Sequence, residues 1–184
     1  MAMKWYKQNV WAAVIVTLVR IYLGWKWLEP GWHKLTGGFD ATGFLKKAVD
    51  TPLADKTTGA LLYPNYTYFI EHFALPNVKL INIMIPLGEF LIGLGLILGG
   101  LTLFAGFFGL MLNTLFLLAG TVSTNPWLMV IGFLVFTAGA NAGRFGLDYY
   151  LLPLIGKYWA KLTHRERTDV GAGTGAGTGR IVLK

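Results

Sequence analysis

Residues Ile85–Gly100 read IPLGEFLIGLGLILGG: apolar almost throughout, with a single carboxylate, Glu89, well inside the run. A charge near the middle of a membrane helix costs roughly 2.5–3.5 kcal/mol on insertion scales, so it normally faces the bundle interior and has a partner. Arg20 offers itself, set inside a second apolar run, Val10–Leu28. The sequence therefore predicts an Arg20–Glu89 pair within the membrane, with the remaining apolar stretches arranged around it.

Composition supports that setting. Of 184 residues, 54% are hydrophobic and 14% charged, outside the usual range for a soluble domain. The length accommodates one domain of about four spans at ~20 residues each. With no cysteine in the chain, disulfides, thiolate metal sites and a Cys-x-x-Cys shuttle are excluded. The net charge of +7 reads as membrane orientation and attraction to anionic headgroups. The basic residues are scattered and no nucleic-acid motif accompanies them, so no nucleic-acid partner is expected.

Taken in order, the first span is expected at residues 8–29. It carries Arg20 and lacks a small-residue cleavage site, which separates it from a signal peptide. Pro30 and Gly31 are read as its end, with Trp25, Trp27 and Trp32 as an interfacial belt. Residues 30–79 form a long outer loop, too long to lack structure; a short helix is expected at 40–49 and an aromatic segment at 63–73. Further spans are expected at 80–100, 102–121 and 127–143. An interfacial amphipathic segment at 147–162 closes a membrane domain of residues 1–162. Residues 163–184, with Gly-Ala-Gly-Thr repeated in 171–178, read as a flexible polar tail. The fold class is thus all-α, a membrane four-helix bundle with a structured outer loop between spans one and two. Counting Lys and Arg places both termini in the cytoplasm and the protein in the plasma membrane.

Depth can be compared between spans from the helical rise. Measured from the expected outer ends, Arg20, Glu89, Asn113 and Thr137 each lie about ten residues in, roughly 15 Å. Arg20 shares a stripe with Thr17, Gly24, Trp27 and Gly31, and Glu89 with Pro86, Gly93 and Gly100. Asn113 lines up with Gly106, Gly109 and Gly120, and Thr137 with Asn141, Arg144 and Asp148. A polar cluster in the outer half of the bundle follows. On a structural reading the Arg20–Glu89 pair fixes helix register, with Asn113 and Thr137 as hydrogen-bond glue. On a functional reading the cluster binds a quinone headgroup: Arg20, Asn113 or a nearby aromatic such as Trp27 donates to the ring carbonyls, and Glu89 relays a proton.

His33 and His72 lie in the expected outer loop, where two histidines are a weak metal signal, and no metal is predicted. Lys34, with Lys46 and Lys47, is read either as drawing an anion to the outer mouth or as a solvated face. Arg144 and Asp148, four apart, are expected to pair locally.

Five stretches resemble the DoxX/DoxD family of small membrane proteins: RIYLGWKWLEPGWHKLTGGFDATGFL (20–45), FALPN (73–77), PLGEFLIGLGLILG (86–99), LAGTVSTNP (118–126) and AGANAGRFGLDYYLLP (138–153). Arg20, Gly24, Gly31, Lys34, Glu89, Gly93 and Asn141 match that family's pattern. The resemblance implies a four-helix membrane fold. In one branch it also implies the membrane subunit of a thiosulfate:quinone oxidoreductase, acting with a second subunit. The expected partners are the lipid bilayer, quinone, that second oxidoreductase subunit and, in a homo-oligomer, further copies of the chain. The alternative function is an assembly or anchoring protein that docks a soluble redox enzyme. A small-solute transporter ranks last, because four spans leave little room for alternating access.

Overall fold

A computed structural model describes the backbone of residues 2–173 and the side chains of residues 3–161. Among the described residues the elements are helical: α1 (Ala2–Gln8), α2 (Val10–Gly37), α3 (Thr42–Asp50), α4 (Pro64–Phe69), a π-turn at Ile70–Ala74, α5 (Val78–Leu98), α6 (Thr102–Leu118), α7 (Asn125–Thr137), a 3-10 turn at Gly139–Gly143, and α8 (Asp148–Gly173). An isolated β-bridge joins Ala54 to Leu61. The chain divides into two units, residues 1–148 and 149–184.

The first unit is organised by the crossing of α2 and α5. Gly24 and Gly31 on α2 and Gly93 on α5 let the two backbones meet. A Cβ on Gly31 would stand 2.5 Å from the Phe90 nitrogen, and one on Gly93 would collide with the Leu28 backbone. Membrane helices use small residues in this way, since apolar burial alone gives little drive to associate in lipid. These contacts fix an antiparallel register, with Gly31 opposite Glu89–Phe90 and Leu28 opposite Gly93. Two of the helices, α2 and α5, are long and apolar enough to cross a membrane; α6 and α7 are shorter and apolar. Val16, Leu23 and Trp27 of α2, Ile92 and Leu96 of α5, Ala105 of α6, and Leu128, Ile131 and Val135 of α7 form one core. A second core, around Ala41, Leu45, Ala48, Ile70 and Ala74, builds a cap from the 38–77 connection.

Three expectations need correction. Pro30 does not end the first helix, which continues to Gly37, so the connection begins at 38 rather than 30. Helices whose freed backbone groups are satisfied by neighbours carry proline in their interior, and Pro86 inside α5 is a second case. The fourth helix stops at Thr137, where Gly139 takes a positive φ of 62° and the chain tightens into the 3-10 turn. Third, the 147–162 segment is part of a longer helix, α8, to Gly173; the polar tail expected from 163 is therefore helical as far as that residue, and residues 174–184 lie outside the described residues. In the second unit, Tyr149, Tyr150, Tyr158 and Trp159 of α8 are exposed.

The turn between α5, which ends at Leu98, and α6, which starts at Thr102, is tight. Gly99 ends α5 with φ 64°, and Leu101 also has positive φ, at 51°.

The α2–α5 crossing gives the first prediction. Gly31→Ala or Gly93→Ala should lower the melting temperature of the purified protein by several degrees or abolish folded yield, because overpacking costs about 1–3 kcal/mol and backbone cannot step aside. Gly43→Ala, with nothing within 4 Å of its added carbon, should leave the melting curve in place.

Candidate functional site

Glu89 is 3% exposed and its partner is Lys34, not Arg20. The Lys34 ammonium donates to both carboxylate oxygens, at 2.6 and 2.8 Å. Lys34 lies in the last turn of α2, and its register against α5 follows from the Gly31 contact one turn earlier. Its side chain keeps 28% of its surface, against 4% for Glu89, so the lysine is the open end of the pair. The ammonium also sits 5.1 Å from the Phe39 ring centre and 5.8 Å from that of Phe116, within cation–π range.

Those two rings tie the pair to the cap. Phe39 packs against the cap core, and Phe44 meets Phe116 edge-on, with centroids 5.9 Å apart. The cap is fastened to α5 by Asn82, whose Oδ1 accepts from the Ala41 nitrogen (2.7 Å) and whose Nδ2 donates to Asp40 (3.3 Å). Hydrogen bonds from the Thr42 hydroxyl, then from the Thr42 N–H and Asn82, hold the Asp40 carboxylate below its ordinary pKa range. Against α6, the Tyr66 hydroxyl donates to the Leu115 carbonyl at 2.9 Å. Burial pushes that phenol up to about 12, so it stays a donor at physiological pH.

Asn113 completes the level. A Cβ on Gly109 would touch Ile92 at 3.3 Å and the Trp27 indole nitrogen at 3.5 Å, placing those three residues together. One turn toward the cap, Asn113 follows Gly109 by four residues, Glu89 precedes Ile92 by three, and Gly31 follows Trp27 by four, so all three share a level. Asn113 is 1% exposed and its Oδ1 has no hydrogen-bond partner. An unsatisfied buried acceptor carries a penalty of about 1–3 kcal/mol.

The other expected members lie elsewhere. Arg20 is buried at the opposite end of α5: its guanidinium donates to the carbonyls of Ala142 (2.9 Å) and Phe145 (3.3 Å) and lies against Gly99. Ten residues of α5 separate Gly99 from Glu89, about 15 Å of rise. Thr137 is exposed, its hydroxyl turned back to the Phe133 carbonyl at 2.8 Å. Asn141 donates to the carbonyls of Tyr6 and Asn9, closing the end of α1. The expected Arg144–Asp148 pair is replaced by two separate contacts. Arg144 donates to the Gln8 carbonyl, while Asp148 accepts from the Leu101 and Thr102 nitrogens at 2.6 and 2.9 Å and so caps α6. His33 is exposed on α2. His72 stacks on Tyr68 and stands 3.7 Å from the exposed Glu71. Among the described residues no group of three or more His, Asp or Glu side chains is placed to hold a metal.

Of the residues singled out in the sequence, the structure thus gathers Glu89, Lys34 and Asn113, with Trp27 one turn below. The Lys34 contact was readable: extending the Gly24–Trp27–Gly31 stripe by three residues reaches it.

The buried pair gives the second prediction. Lys34→Met should destabilise the protein by about 3–5 kcal/mol by leaving a buried carboxylate unpaired. The double variant Lys34→Met/Glu89→Met should recover most of that loss in thermal unfolding.

Comparison with known proteins adds one match: the DoxX family model aligns with residues 15–122, a range that contains Lys34, Glu89 and Asn113. No curated protein and no solved structure matches the chain.

Proposed function

This chain belongs to the DoxX family, and from that premise we propose that it is a four-span membrane bundle that serves as the membrane subunit of a quinone-linked oxidoreductase. The membrane setting is supported by the outward faces. Leu18, Trp25, Ile83, Met84, Leu91, Phe104, Phe107, Val130 and Phe133 are all exposed, more apolar surface than a protein in water carries. α5 rises about 30 Å, the thickness of the hydrocarbon core. α6 and α7 are the remaining spans, α7 being extended by the 3-10 turn. Lysine and arginine counts favour cytoplasmic termini in the plasma membrane, with the cap outside.

The observation that carries the redox reading is the Lys34–Glu89 pair with the unsatisfied Asn113 carbonyl oxygen on its level. Reducing a quinone to a quinol takes up two electrons and two protons. An ammonium suits the ring carbonyl as a donor, a carboxylate suits proton exchange, and an amide oxygen suits the quinol hydroxyl as an acceptor. Phe39, Phe116 and Trp27 supply apolar and aromatic surface for the ring and its isoprenoid tail. The electrons come from a second subunit that oxidises thiosulfate or another small reductant, as the family resemblance implies.

Binding of a short-chain quinone to the purified protein, followed by tryptophan quenching, tests this reading. Glu89→Gln and Asn113→Leu should each weaken binding roughly tenfold, the equivalent of one hydrogen bond to a charged or buried partner, and Asn113→Leu should do so with the melting temperature within a few degrees of the wild type. Wild-type affinity in both variants, or no quinone in lipid extracts of the purified protein, would overturn it and favour an anchoring role for a soluble redox enzyme.

A further inference from the structure

The outward face of α2 carries a stripe that lipid does not suit. Tyr22, Lys26, Glu29 and His33 are spaced by four, three and four residues, and all are exposed. Below them on the same helix Ile15, Leu18 and Ile21 are exposed; above them so is Leu35, and Trp25 and Trp32 flank the charges. The charges are therefore bracketed along the helix by lipid-facing apolar residues. The crossing register puts Glu29 between the levels of Gly93 and Glu89, some six residues from the end of α5 at Leu98, or roughly 9 Å. A lysine can extend toward an interface, and Lys26 leans back over the Tyr22 ring at 5.8 Å. A glutamate is too short for that. Among the described residues neither Lys26 nor Glu29 has an ion-pair partner; the pairs present are Lys34–Glu89 and His72–Glu71.

We propose that this stripe is the interface of a homodimer in which the two α2 helices pack side by side, Lys26 of each chain meeting Glu29 of its partner. The proposal rests on the four-span membrane reading above. Two copies inserted with the same orientation bring the same helix together in parallel about an axis along the membrane normal, so equal residue numbers lie at equal depth. Lys26 and the partner's Glu29 then differ by three residues, about 4.5 Å of rise, within reach of a lysine side chain. The stripe is charge-neutral and complementary to itself, which a twofold interface requires. Trp25 and Trp32 supply the large aromatic contacts that dominate such interfaces. One dimer forms two such pairs, so each Lys26 and each Glu29 has a partner.

The natural absence of cysteine permits a clean test in native membranes with the full-length chain. Under mild oxidation Tyr22→Cys should cross-link to twice the chain's mass, and Phe133→Cys, on the outward face of α7, should not. Adding Glu29→Lys to the Tyr22→Cys variant should cut the cross-linked fraction roughly tenfold, because like charges then face each other in a low dielectric. Adding Lys26→Glu as well should restore it. A merely collisional contact would not respond to the charges in this way. Equal cross-linking from Phe133→Cys, failure of the double exchange to restore dimer, or a product containing a different protein would overturn the proposal. Extraction with alkaline carbonate separates the two readings. Release of the chain from membranes refutes the four-span bundle, whereas a retained chain that stays monomeric refutes only the dimer.

Discussion

Backbone contact between α2 and α5 is the constraint on which the rest of the first unit depends. Gly24, Gly31 and Gly93 remove the side chains that would hold two helices apart, and the crossing they permit sets the relative depth of every group on both. Because Gly31 lies against Glu89, the next inward-facing position on α2, Lys34, has no choice but to meet the carboxylate. The ion pair is thus a consequence of glycine packing. It adds specificity of register to an association that shape already allows, the role best attested for buried polar pairs.

The two ends of the bundle use their polar groups differently. At the end near α1, Arg20, Asn141, Arg144 and Asp148 all bond to backbone: to the carbonyls of Ala142, Phe145, Tyr6, Asn9 and Gln8, or to the nitrogens of Leu101 and Thr102. These are helix ends being satisfied, the accounting every buried terminus demands. At the cap end the bond that matters joins two side chains, and a third polar side chain on the same level is left unsatisfied. Backbone partners cannot be exchanged without unfolding a helix end, whereas side-chain partners can.

Much of this was legible in the sequence, and the failures have physical causes. The buried carboxylate and the short connection between the second and third long apolar helices follow from periodicity and turn residues, whereas the basic partner expected for Glu89, Arg20, was the wrong one. What went astray was depth on the first helix. Pro30 signals a helix end in water, where its missing N–H and its ring strain are decisive; here the helix carries through it to Gly37. Every level measured from residue 29 was displaced by about two turns, which brought Arg20 up to Glu89 on paper and hid Lys34. The stripe through Thr137, Asn141 and Asp148 failed for another reason. It assumed an α-helix across Gly139, where the backbone turns left-handed. Asp148 capping Thr102 from 46 residues away is a long-range contact to which local spacing rules are blind.

Arg20 and Glu89 were matched because each is a charge in an apolar run, yet burial alone does not make two charges equivalent. A guanidinium remains charged across the physiological range, and carbonyl oxygens that receive it have no proton to give back. It is a fixed charge holding a fixed end. A carboxylate held by an ammonium is different, because both partners are side chains and the contact can be exchanged without unfolding a helix end. Of the three buried charged residues among the described ones, Arg20 and Asp148 bond to backbone, and only Glu89 is held by another side chain, with Asn113 Oδ1 on its level without a donor. The proposed function is therefore assigned to the side chains beneath the cap, while the polar groups at the far end close helix ends.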